Sequence, residues 1–472
     1  MEGNGPDRED QAMSRNASCP GETMALSERI ADFAAGASYD SIPGEVVDQA
    51  REQILDTLAV AWAGTGADGV PQALSLVEAE GGAPAAAFWG LGRQGTAVQA
   101  AFLNGLSSAA LDYDNVHVPA MSHSAIVVLP AALALAEQRR ASGREFLAAF
   151  VVGNEVLCRL GMSSTARSGW FYTSTHGVFG AAVAGAKVSG LGAQGVADAL
   201  GIALSHAAGT QQTNVEQKLT KRMQSAFAAR NGTFSAQLAA LGVSAPRESL
   251  DGKFGFYAKY DGGDPSVVTD GLGSEYAFVN ATFKKFPSCA CNHAAIEATL
   301  RLRREHGIAA SDVERVDVSI SPFMSRLVGA PYDPGANPQV AAQFSVRYSI
   351  ASAILRGHLD LSDIEPAAAR DPVAQALARA VHVTVRDDLD SPDKLPAEVA
   401  VRMRDGRVLA CRVDDLPGSP AAPFTAAEAN DKFLHCTSRG VAPLSPQRAA
   451  QLRERIANLE SVEDMSTFFR DL

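Results

Sequence analysis

From residue 25 to about residue 260 the chain repeats one pattern: Ala- and Leu-rich stretches at helical spacing that stop at glycine. "EVVDQAREQILDTLAVAWAG", "REFLAAFVVGNEVLCRLG", "GVFGAAVAGAKVSG" and "QSAFAARNGTFSAQLAALG" are examples. Apolar residues recurring every three to four positions predict amphipathic or buried helices, and the glycines supply their C-terminal caps. So many small side chains also imply helices that approach closely. The first helix is expected at "LSERIADFAAG", with Ser27 as its N-cap. Residues 1–24, rich in Gly, Asp, Asn and Ser, are expected to form a disordered tail.

The pattern changes after "GKFGFYAKYDGGDP". "VERVDVSIS" (313–321) and "VHVTVRDD" (381–388) alternate as strands do, and "VAVRMRDGRVLACRV" (399–413) predicts a hairpin with Asp405-Gly406 at its turn. Helical stretches such as "HAAIEATLRLRREHG" and "SVRYSIASAILRG" lie between them. After "PGSPAAP" the chain becomes helical again. The expected layout is mainly α: a helical domain (25–272), an α+β domain (273–413), and C-terminal helices (414–472) returning to the first body.

With 53 acidic against 41 basic residues the net charge is −12, which argues against a nucleic-acid surface. It leaves an anionic substrate open, because a few lysines in a cleft reverse the local field. Six scattered cysteines in a large chain suggest no disulfide framework and a reducing, cytoplasmic setting. No apolar run has the length of a membrane span, and no apolar signal core precedes residue 24.

Four motifs carry chemistry or imitate it. "GLGRQG" (90–95) matches the dinucleotide-binding spacing, with Asp112 about 20 residues on. The strand before it is mostly alanine and no parallel strand follows, so the glycines are expected to form a turn. "CACNH" (289–293) offers three metal-type ligands with no second cluster, and no metal site is expected. "ALDYDNVHVPAMSHS" (110–124) packs Asp112, Asp114, His117 and His123 into a stretch that Pro119 keeps from being a helix. Ionisable groups gathered on a loop between helices either line a site or form a solvated loop with satisfied histidines. Finally, "TKRM" (220–223) and "FKKFPSC" (283–289) set lysines beside apolar residues, one cluster in each domain. Facing each other, they would receive a carboxylate-rich ligand.

Taken in order, "ILDTLAVAWAG", the 110–124 loop with its flanks, "TSTHGVFGAAVAGAKVSGLG", "TKRMQSAFAARNG", "FKKFPSCACNHAAIEA" and "AQFSVRYSIASAILRGHLDL" resemble the MmgE/PrpD family over about residues 25–440. That family includes 2-methylcitrate dehydratase, cis-aconitate decarboxylase and iminodisuccinate epimerase. The resemblance implies a large helical domain, a smaller α+β lid, a homodimer, and a cofactor-free site between the domains. It also implies Asp112, His123, Lys221 and Lys284 as the retained active-site set. Where the family usually carries threonine, histidine, proline, a second histidine and, in its decarboxylases, tyrosine, this chain has Val116, Phe171, Tyr172, Gln224 and Leu327 respectively, so several polar positions have become apolar or aromatic. A buried polar group without a partner costs about 1–3 kcal/mol, so the substrate is expected to be less polar than methylcitrate or cis-aconitate.

On this reading His123 is the acid/base, with Asp112 orienting it or sharing the proton, and with His117 and His176 as second-rank proton carriers. Lys221 and Lys284 bind carboxylate, backed by Arg222 and Lys285, while Tyr172 and His176 supply substitute donors. The expected activity is a lyase reaction, dehydration or decarboxylation, on a small carboxylic acid. An isomerase or epimerase, or a non-catalytic ligand-binding relative, are the alternatives.

Overall fold

The computed structural model describes residues 24–166 and 168–470. The tail expected over residues 1–24 lies outside them except for Met24. The helical body contains α1 (Leu26–Gly36), α2 (Gly44–Gly64), a short hairpin of β1 (Ala86–Phe88) and β2 (Arg93–Gly95), α3 (Ala97–Ala109), α4 (Ala125–Arg139), α5 (Gly143–Ser163), α6 (Gly177–Val188) and α7 (Thr220–Ala240). The α+β unit contains α8 (Ala290–His306), β3 (Val313–Ile320), α9 (Pro322–Val328), α10 (Val346–Arg356), β4 (Val381–Val385), β5 (Ala397–Met403) and β6 (Val408–Val413). Two further helices, α11 (Ala426–Thr437) and α12 (Pro446–Ala457), follow it.

Small residues set the spacing of the body. Helix α6 packs against α4, α5 and α7. A Cβ placed on Gly153 of α5 would stand 2.7 Å from the Gly180 carbonyl oxygen of α6, and one on Gly232 of α7 would stand 2.4 Å from the Ala181 Cβ. Both are steric overlaps, so these crossings exist only with glycine there. Helix α5 is long and apolar enough to cross a membrane, yet nearly all of it is buried inside this body. Ser27 is not the cap of α1: Ala25 holds that place, and Ser27 sits buried in the first turn with its hydroxyl donating to the Arg247 carbonyl.

In the α+β unit the strand order is β4-β3-β5-β6, with β3 parallel to β4 and antiparallel to β5. The β5–β6 hairpin turns at Asp405-Gly406, where Gly406 has φ 90°. Helix α8 covers β5 and β6 and packs on α10. Helix α11 returns to the body, packing on α2 with Lys432 2.5 Å from Asp56. The glycines of "GLGRQG" form the β1–β2 turn, Gly90 and Gly92 both left-handed, and the paired strands are antiparallel. A dinucleotide site would need a parallel βαβ unit at this point.

Candidate active site

The loop between α3 and α4 is the meeting point of the two halves. Val116 exchanges two backbone hydrogen bonds with Thr282, at 2.9 and 2.7 Å. Val116 and Val118 are buried in the apolar core of the α+β unit although they belong to the body in sequence. Burying a valine side chain stabilises by about 1.5–3 kcal/mol, so this loop fastens the body to its partner unit. The backbone is unusual here: Asp112 (φ 50°) and Met121 (φ 47°) are both left-handed, a conformation costing non-glycine residues about 1–2 kcal/mol. Outside support compensates. Lys432 donates to the Tyr113 carbonyl at 2.9 Å, and the Asn115 amide reaches Asp56 and Thr57 of α2.

Asp112 lies between two ammonium groups. Lys221, from the first turn of α7, is 2.5 Å from its Oδ1; Lys284, two residues past the Thr282 bridge, is 3.0 Å from its Oδ2. Lys284 also donates to the Asp112 carbonyl at 2.9 Å. Burial alone would raise the Asp112 carboxyl, but the two lysines overcome it and hold the group far below the usual carboxylate range. Burial likewise pulls the Lys284 ammonium down, and Asp112 with Asp114 more than reverses it.

The carboxylate that holds His123 is Asp114, not Asp112. Its Oδ2 is 2.7 Å from His123 Nδ1, and the Asp114 carboxyl is lowered despite burial by the nearby His123 and Lys284. The His123 backbone N–H donates to Thr173 Oγ1 at 3.1 Å, which fixes the residue against the body. With Nδ1 engaged, Nε2 is the nitrogen left for the cavity that His123 lines.

That cavity, of about 340 Å3, opens between the two halves. The body contributes Asp112, Val116, His123, Trp170, Phe171, Tyr172 and Lys221; the α+β unit contributes Cys289, Cys291, Phe323, Arg326, Leu327 and Leu395. Phe344 also lines it, with the Lys221 ammonium 4.6 Å from its ring centre.

Several residues singled out from sequence do not reach it. His117 is buried with both ring nitrogens committed: Nε2 donates to the Ala277 carbonyl and Nδ1 accepts from the Ala120 N–H. His176 is buried beneath Tyr172 and bonds Ser164 through Nε2. Arg222 donates to the Asp68 carbonyl and to Gln339 and Gln343. Lys285 pairs with Glu297 outside the cavity. Gln224 anchors the 210–213 segment through Thr210 and Thr213. Lys284 stands behind Asp112 with no exposed surface, so its charge reaches the cavity through that carboxylate. Tyr172 lines the cavity, but its hydroxyl bonds Asp261 at 2.7 Å. Conversely, Asp114, noted in the 110–124 loop but given no role there, holds His123, and Arg326 lines the cavity without any signal in the sequence. Arg326 directly precedes Leu327, a helix neighbour that sequence comparison had marked.

Burial pushes both His117 and His176 down to about 4. Their folded values lie below the unfolded one, so the stability they confer is present above about pH 6.5 and is lost as pH falls toward 4. Glu137, raised to about 8 by burial, pulls stability the other way. The informative comparison is therefore between variants. His176→Gln should unfold at a lower temperature than wild type at pH 7.5, and that gap should narrow by pH 5. A gap independent of pH would contradict this account.

The helical body and the α+β unit thus enclose an Asp–His pair beside a lysine-held carboxylate, a constellation suited to acid–base chemistry. The MmgE/PrpD N-terminal domain model matches residues 28–268 and the MmgE/PrpD C-terminal domain model matches 286–459. The chain belongs to the MmgE/PrpD family. It is 30% identical over 364 residues to a cis-aconitate decarboxylase of Aspergillus terreus, covering 72% of this chain and 74% of the relative. The cis-aconitate decarboxylase-like protein oryM of Aspergillus oryzae is 28% identical over 90% of this chain and 92% of its own. Human cis-aconitate decarboxylase is 27% identical over 94% and 93%.

Proposed function

We propose that the chain is a lyase that decarboxylates or dehydrates a small carboxylic acid by moving a proton at a carbon next to a carboxylate. The observation that carries this reading is the convergence of the Asp114-held His123, Lys221 and Arg326 on one cavity. Carbon acids of this kind are weak, so negative charge growing on the neighbouring carboxylate has to be stabilised. Fixed cations in a cavity poor in water do that, and such electrostatics are usually the largest contribution to rate. Lys221 is the buried cation of the body wall, and Arg326, an exposed residue, is the cation that lines the opposite wall. Arg326 has no carboxylate partner among the described residues, which suits it to a carboxylate brought by the substrate. His123 Nε2 takes or gives the proton, while Asp114 keeps the ring oriented and supports its charged form.

The apolar positions favour a substrate other than a close copy of cis-aconitate. Val116, Phe171 and Leu327 all line the cavity, as do Trp170 and Phe323, while Gln211 and Asn214 line it too, so a substrate hydroxyl or third carboxylate set against the apolar side chains would lack a partner there. An acid with its carboxylates at the Lys221 and Arg326 ends and an apolar middle fits this distribution.

The test begins with a panel of unsaturated and hydroxylated mono-, di- and tricarboxylic acids, screened by thermal shift and then for turnover. His123→Ala should lose turnover of any active acid, on the order of 10²–10⁴-fold, while that acid still raises its melting temperature. Undiminished turnover in His123→Ala would remove the reading. Binding with no turnover by the wild-type protein would favour a ligand-binding relative instead.

A further inference from the structure

One wall of the cavity is held by a carboxylate that the proton transfer does not use. Residues 168–172 of the body line the cavity in an unbroken run. Residues 209–211 hold their backbone: the Phe171 N–H donates to the Gly209 carbonyl at 3.0 Å, and the Gln211 N–H to the Gly169 carbonyl at 2.8 Å. A second hold comes from Asp261, which is 6% exposed. Its Oδ2 accepts from the Ser168 N–H at 3.2 Å and from the Tyr172 hydroxyl at 2.7 Å, and its Oδ1 accepts from the Ser168 hydroxyl. The Asp261 carbonyl accepts from the Thr165 hydroxyl at 3.1 Å and the Ala166 N–H at 3.0 Å. Asp261 is fixed in turn by its neighbours. The Tyr260 ring stacks on Phe256 at 4.4 Å and stands 4.7 Å from Trp170 of the wall, and its hydroxyl donates to the Ala207 carbonyl. Gly262 follows with φ 69°, and a Cβ there would stand 2.8 Å from Thr165 Oγ1, so the turn brings Asp261 against the wall only with glycine after it.

We propose that Asp261 is a positioning residue that decides which acids the cavity accepts: by holding residues 168–172 in place, it sets the room left for the apolar middle of the substrate. The proposal rests on the carboxylate-binding reading above. Burial alone does not fix this wall, because Ser168 and Gly169 are exposed and Trp170 is half-buried. Backbone pairing with residues 209–211 does not orient the Tyr172 ring either. A hydroxyl tied to a buried carboxylate does, and hydrogen bonds to a charged acceptor are stronger than neutral ones. The α+β unit supplies Phe323 and Leu327 to the same cavity, so the place of the wall governs how much hydrocarbon fits between the two units. A wall ordered before the ligand arrives also spends no binding free energy on its own ordering. One methylene too many or too few in an apolar pocket changes discrimination about 10–200-fold. Releasing the wall should therefore blunt selectivity instead of weakening every acid alike.

Succinate, 2,2-dimethylsuccinate and 2-phenylsuccinate present the same two carboxylates on a middle of increasing bulk. Their dissociation constants, from calorimetric titration of the full-length protein, test this in wild type, Asp261→Ala and Asp261→Asn. Wild type should separate the tightest from the weakest of the three by about tenfold or more. Asp261→Ala should shrink that ratio to about threefold or less. Asp261→Asn can accept from Ser168 through its oxygen and donate to the Tyr172 oxygen through its amide, so it should restore most of the ratio. Tyr172→Phe keeps the ring and loses one anchor, so it should narrow the ratio in the same direction; it carries the test if Asp261→Ala does not fold. A wild type that does not discriminate, or an equal loss of affinity for all three acids in Asp261→Ala, overturns the proposal. So does an unchanged ratio in Tyr172→Phe where Asp261→Ala is unfolded. Those results would leave the carboxylate reading and the His123→Ala test standing. Binding of none of the three acids by wild type would instead sink the reading of a diacid with an apolar middle, and this proposal with it.

Discussion

Asp112→Asn should lower the stability of the folded chain by about 3–5 kcal/mol, the range found when one member of a buried ion pair is removed. The substitution isolates charge. Asn tolerates the left-handed backbone at position 112 (φ 50°) as well as Asp does, and its shape is nearly that of the carboxylic acid. What disappears is the counterion of two ammonium groups, one with no exposed surface and the other almost as buried. Lys284 has no route to solvent and must either stay charged against Lys221 or give up its proton. Adding Lys284→Met should recover part of the loss, because it removes the stranded charge and leaves Lys221 at the cavity wall, where water reaches it. The measurement is the guanidinium midpoint of the single and double variants followed by circular dichroism. An unchanged midpoint for Asp112→Asn, or strictly additive effects in the double variant, would show that the cluster is not the coupled unit described.

How far the sequence exposed this arrangement depended on whether the information was local. Helix α1 falls over "LSERIADFAAG", and the β5–β6 hairpin turns on Asp405-Gly406, because spacing and turn chemistry act within a few residues. The 110–124 loop was visible as a concentration of ionisable groups that Pro119 barred from a helix. The partner of each group was not visible. Asp112 and Asp114 differ by two positions, and nothing local says which turns toward His123. The left-handed backbone at Asp112 decides it, turning that carboxylate toward Lys221 and Lys284. His117 is as conspicuous in sequence as His123, yet its nitrogens are taken by Ala277, 160 residues away, and by Ala120. Support from Lys432, 319 residues from the Tyr113 carbonyl it binds, has no trace in the loop itself. Arg326 carries no signal in the sequence: it is exposed, as an arginine near a helix end ordinarily is, and only the fold sets it beside the cavity.

The second large effect is expected at Asp114. Asp114→Asn should cut turnover on the order of 10²–10⁴-fold while leaving carboxylic-acid binding close to wild type. The carboxylate accepts the Nδ1 proton of His123 at 2.7 Å, which fixes the tautomer with a free Nε2 and balances the positive ring formed when that nitrogen takes a proton. An amide can turn its NH2 toward Nδ1 as easily as its oxygen, and then Nε2 carries the proton and cannot act as base. Lys221 and Arg326 are untouched by the change, so the loss should fall on kcat rather than KM. The contrast with Asp112→Asn is the decisive comparison: one carboxylate holds the lysines, the other holds the imidazole. Fold stability should therefore depend mainly on Asp112, and turnover per folded molecule mainly on Asp114. If Asp114→Asn keeps full kcat while Asp112→Asn loses it at equal folded fraction, the orienting role belongs to Asp112 after all, and the His123–Asp114 pair is structural.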